Sequence, residues 1–160
     1  MKQLLIASAT AAALVSGSAF AIGGIDIDND IALSCDVDVS AISGPLTFEN
    51  GTATASGIGI QCNDSDGATV RVTSQNGALE GPVTVSYELT LSQVGGSSEF
   101  TTINLNANGT TSPASADTDV NGSAAFAGDG FELELALALV DDLVFAGRYR
   151  DTVTIDITPL

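Results

Sequence analysis

The feature that most limits what this chain can become is a two-residue rhythm of apolar side chains, repeated in short runs. Gly, Asn, Asp and Pro break the runs apart. In one such run Ile25, Ile27, Asn29, Ile31 and Leu33 share a face, while Asp26, Asp28, Asp30, Ala32 and Ser34 take the other. Side chains of an extended backbone alternate between two faces, so this spacing predicts a strand with one buried side. The three carboxylates need water, and only the other side suits a core.

The same reasoning predicts strands over Cys35 to Ser40, Pro45 to Glu49 and Thr52 to Cys62. In the last of these Ala53, Ala55, Gly57, Gly59 and Gln61 fall opposite Ile58, Ile60 and Cys62. Further strands are expected at Ala68 to Ser74 and at Val83 to Leu91, where Val83, Val85, Tyr87, Leu89 and Leu91 line up. Asn76-Gly77 and Gly81-Pro82 supply turns between them. Gly95 to Asn121, rich in Gly, Ser, Thr, Asn and Ala, reads mainly as loop around a strand at Phe100 to Leu105. Phe131 to Val140 and Tyr149 to Thr158 resume the alternation, the latter with Val153, Ile155 and Ile157 inward. Many short strands without a helix predict an all-β sandwich.

Before the first run stands a different pattern. Lys2 precedes a largely apolar stretch from Leu4 to Val15, which closes on Ala19-Phe20-Ala21, with small residues where a signal peptidase reads. The stretch is broken by Ser and Gly and is shorter than the ~20 residues a bilayer requires. Residues 1–21 are therefore expected to be a cleavable signal peptide, with about 140 residues left for one domain. The expected destination is outside the cytoplasm, without stable membrane insertion. In that compartment Cys35 and Cys62, the two cysteines of the chain, are expected to form a disulfide.

Charge and composition exclude several functions. The chain has 20 acidic and 4 basic side chains, for a formal net charge of −16. Beyond Lys2 the bases are Arg71, Arg148 and Arg150, far too few for a nucleic-acid footprint. Without His, and with both thiols paired, a general base or nucleophile of the usual kind is missing; no enzyme and no cofactor are expected. Asp26, Asp28, Asn29 and Asp30 resemble the opening of a calcium loop. The sixth position is Ile31 rather than Gly, and the twelfth is Val37 rather than Glu, so no metal site is assigned.

Four stretches carry a family resemblance. Gly147 to Leu160, GRYRDTVTIDITPL, is similar to the closing strand of chaperone-usher pilus subunits, in the branch of spore coat protein U domains and archaic pilins. Cys35 and Cys62 with Leu46-Thr47-Phe48 between them resemble that family's early disulfide and apolar turn. Val70 to Leu79 and Ser86 to Leu91 are similar to its middle strands.

The resemblance implies an incomplete immunoglobulin-like β-sandwich over residues 34–160, completed by a donor strand from another chain. Residues 22–33 would be the donor arm, with Ile25, Ile27, Ile31 and Leu33 as inserting side chains and Asn29 a polar group in their row. Tyr149, Val153, Ile155 and Ile157 would belong to the strand that accepts it. The implied partners are a periplasmic pilus chaperone, an outer-membrane usher and further copies of the chain or related subunits, in a surface pilus, fibre or coat that supports adhesion or biofilm formation. A different class remains open: a monomeric secreted sandwich binding carbohydrate or calcium through loops around Gly95 to Asn121.

Overall fold

A computed structural model describes residues 31–95, 99–141 and 145–160. Eight strands and one short helix follow in the order β1 (Cys35–Asp38), β2 (Thr52–Cys62), β3 (Gly67–Ser74), β4 (Tyr87–Gln93), β5 (Ile103–Ala107), β6 (Ala114–Asn121), α1 (Ala124–Gly128), β7 (Phe131–Leu139) and β8 (Val153–Pro159). The protein is all-β, and each strand pairing is antiparallel. One sheet has the order β1-β2-β7-β4-β5, the other β6-β3-β8.

The alternation explains the core. Ile58, Ile60, Leu89, Leu91 and Leu133 from the larger sheet join Val70, Val72 and Val120 from the smaller one in a single buried cluster. Fully burying each such side chain stabilises the fold by about 1.5–3 kcal/mol. The opposite faces stay polar: in β3 and β6 Arg71 meets Asp117 at 3.0 Å, and Thr69 meets Asp119 at 2.7 Å.

Strand β2 departs from its expected pattern. Ala53 and Ala55 are buried together with Ile58, Ile60 and Cys62 instead of opposing them. The β2–β7 register shifts between Ala55 and Ile58, and Gly57 there has φ +78°. An extra residue in one strand of a pair reverses the faces beyond it, so a bulge puts both apolar sets on the core side.

Other boundaries also move. Pro45 to Glu49 is not a strand: Glu49 forms a single bridge with Thr52 across Asn50 and Gly51, whose positive φ values of 51° and 81° make a tight turn. Ladder pairing in β4 starts at Tyr87, and Val83 to Ser86 stand outside it. Likewise β8 starts at Val153, not Tyr149. Within Gly95 to Asn121 the strand expected at Phe100 to Leu105 stands as β5 at Ile103–Ala107, while the part expected as loop contains all of β6. Strand β6 pairs residue for residue with β3, but its half-buried face carries Ala116 and Thr118, too weakly apolar to mark the alternation.

Helix α1, absent from the sequence reading, is too short to show a period. Ser123 caps it by accepting from the Phe126 N–H at 3.1 Å. Phe126 is fully buried and stacks on Phe131 with ring centroids 4.9 Å apart. Among the described residues no helix is long and apolar enough to cross a membrane.

Candidate functional site

Strand β8 occupies one margin of the smaller sheet, and β1 one margin of the larger. Among the described residues each is paired on one side alone: β8 to β3 over Val153–Pro159, β1 to β2 over Cys35–Asp38. The two approach each other without sharing a ladder among the described residues. Each therefore presents unpaired main-chain N–H and C=O groups, which are a template for a further strand.

Between them lies a cleft of about 1040 Å³. Its floor is apolar, made by Ile58, Leu79, Leu135 and Leu137 with the ring of Tyr87, all buried. Val153 and Ile155 of β8 form one wall. The other wall is Val37 of β1 with Val39, Ile42 and the segment Gly44 to Phe48. Val39 is 47% exposed and Leu46 37% exposed, so this wall offers apolar surface to solvent. Arg148 and Arg150, both exposed, line the cleft just before β8.

A polar cluster fixes the start of the accepting strand. Asp151 accepts from the Ser74 hydroxyl, from the Tyr87 hydroxyl at 2.7 Å, and from the N–H groups of Asn76 at 2.9 Å and Thr152 at 2.6 Å. Ser74 and Tyr87 are fully buried. Burial first, then the bond to Asp151, push the Tyr87 phenol well above its ordinary range, so it stays a neutral donor. Every buried side-chain polar atom among the described residues has a partner.

The disulfide joins Cys35 to Cys62, which stand opposite each other in the β1–β2 ladder. It pins the short edge strand that carries Val37. Next to it, the Asn63 side chain grips the chain on both sides of Leu33, accepting from Ser34 N–H at 2.7 Å and donating to the Ala32 carbonyl at 2.8 Å. The segment that enters β1 is thereby rooted.

Of the residues expected to accept a strand, Tyr149, Val153 and Ile155 line the cleft. Ile157 is half-buried against the core on the same face of β8 but outside the cleft lining. Of the expected donor row, Ile25, Ile27 and Asn29 lie outside the described residues. Ile31 and Leu33, 74% and 58% exposed, precede β1 without belonging to a strand. The sequence reading did not identify the floor or the wall from Val37 to Phe48. Their apolar alternation was visible, but not which two strand edges are left facing each other. Among the described residues no group of three or more His, Cys, Asp or Glu side chains is placed to hold a metal ion.

Compared with models of protein families, with curated proteins and with solved structures, the chain has no match.

Proposed function

We propose that this protein is a structural subunit that polymerises by donor-strand exchange, its cleft taking the Ile22 to Leu33 arm of another copy. The observation that carries this reading is that, among the described residues, the edge of β8 is unpaired beside an apolar cleft whose far wall is a second unpaired edge, that of β1. An extended strand entering there hydrogen-bonds through its main chain and buries alternate side chains. The alternation of Ile25, Ile27, Ile31 and Leu33 matches that demand. Burying Ile25, Ile27 and Ile31 contributes about 4.5–9 kcal/mol before ordering costs, while Leu33 lies at the root held by Asn63.

In this reading the two sheets form an immunoglobulin-like sandwich short of one strand. Export removes residues 1–21 and frees the arm. Before assembly a periplasmic chaperone covers the cleft, an outer-membrane usher exchanges it for the next arm, and the product is a surface fibre or coat serving adhesion.

Light scattering on the exported chain, with and without Ile22–Ile31, tests the proposal. The intact chain is expected to form oligomers, while the shortened chain stays monomeric yet still caps the oligomers of the intact one. Assembly that proceeds equally well without the arm would refute it.

A further inference from the structure

Chains of this kind repel one another. At a formal net charge of −16 each, two copies meet against a long-range electrostatic barrier, and steering at an interface depends on local charge of the opposite sign. Positive charge is scarce enough to be located residue by residue. Arg71 is held by Asp117 on the outer face of the smaller sheet. The other two arginines, Arg148 and Arg150, both stand at one end of the cleft.

Among the described residues, the carboxylates around that end do not neutralise them. Asp151 is occupied by four donors. Glu80 meets Arg150 through main-chain bonds, N–H to carbonyl in both directions at 2.9 Å. Arg71 to Asp117 is the one ion pair within 4 Å among the described residues.

We infer that Arg148 and Arg150 form an electrostatic clamp for the acidic face of the incoming arm, Asp26, Asp28 and Asp30 of a second copy. This rests on the donor-strand reading above and adds how the cleft selects its occupant. The spacing is compatible: the acids recur every second residue, a repeat of about 6.6–6.8 Å in extended chain, and the two arginines are likewise two residues apart. While the arm's apolar row faces the floor, its carboxylates project toward the rim. There they find the two cations of the cleft lining, on a chain whose formal net charge is −16. The apolar row supplies burial, and the clamp supplies encounter rate and discrimination against uncharged strands of similar hydropathy.

The test uses the monomeric fraction of the exported chain, taken before it oligomerises, and a fluorescent peptide of Ile22 to Ser34 as probe, with association followed by anisotropy. A second peptide carries Asp26→Asn, Asp28→Asn and Asp30→Asn. For the native peptide, Arg148→Gln with Arg150→Gln is expected to slow association about tenfold at low salt, with the difference collapsing at about 0.5 M NaCl. The Asn peptide should bind wild type and variant at the same rate, and Arg71→Gln should leave both peptides unaffected. Equal slowing of both peptides, or no slowing of either, overturns the clamp while leaving the donor-strand reading intact. Failure of both peptides to bind the wild-type chain overturns the donor-strand reading and the clamp together. Circular dichroism of the variants, whose changed side chains are exposed, checks that folding is unaltered.

Discussion

The Tyr87 hydroxyl donates to Asp151 across 2.7 Å, tying the floor of the cleft to the turn from which β8 departs. The accepting strand is thus set in place by a polar contact beneath an apolar surface. Tyr87→Phe keeps the ring and removes the donor, leaving Asp151 with three partners. The expected loss is about 1.5–3 kcal/mol, the range for a hydrogen bond to a charged group, measurable by urea unfolding.

That contact also has a pH signature. Because the folded phenol titrates above its unfolded value, its stabilisation is fully present below about pH 10 and is lost as pH rises further toward the folded value. Wild type should lose stability above that point more steeply than Tyr87→Phe. Parallel curves for the two proteins would show that Tyr87 has no part in the alkaline loss.

Removal of the disulfide by Cys35→Ser with Cys62→Ser frees a loop of sequence separation 27. The expected cost is about 3 kcal/mol. Since β1 is four residues long and among the described residues pairs only with β2, the variant should also bind the arm peptide more weakly, because the wall bearing Val37 loosens. Calorimetry for stability and peptide titration for affinity separate the two effects.

Gly57 sits in the β2 bulge with φ +78°, and a Cβ there would stand 2.8 Å from the Cβ of Ala41. Gly57→Ala therefore combines an unfavourable left-handed backbone with a steric conflict. A loss of about 1–2 kcal/mol from the backbone alone is expected. Thermal unfolding measures it, and an unchanged midpoint would mean that the bulge relaxes freely.

Sequence periodicity revealed most of this fold because water and core read the two faces of a strand differently. It located β2 at its observed limits and placed Tyr87, Leu89 and Leu91 together on the buried face. It missed what alternation does not encode. The bulge at Gly57 reverses the faces within one strand, Ala116 and Thr118 blur the inner side of β6, and α1 has barely one turn. The cleft was half legible: Val153 and Ile155 could be read as a wall from the closing strand, but Val37, Ile42 and the floor belong to it only through sheet order, a long-range property. Arg148 and Arg150 stood out in the sequence by their rarity, yet their place at the cleft required the tertiary arrangement.

Hydrogen exchange across Val153–Pro159 tests the open edge of β8 most directly. In the monomeric exported chain, before arms are exchanged, amides bonded to β3 should be protected while those pointing toward the cleft exchange quickly. Addition of the Ile22 to Ser34 peptide should slow the second set by at least about tenfold, an added opening cost of ~1.4 kcal/mol, and leave the first set nearly unchanged. Exchange at the cleft-facing amides that stays the same with saturating peptide would contradict strand addition at this edge.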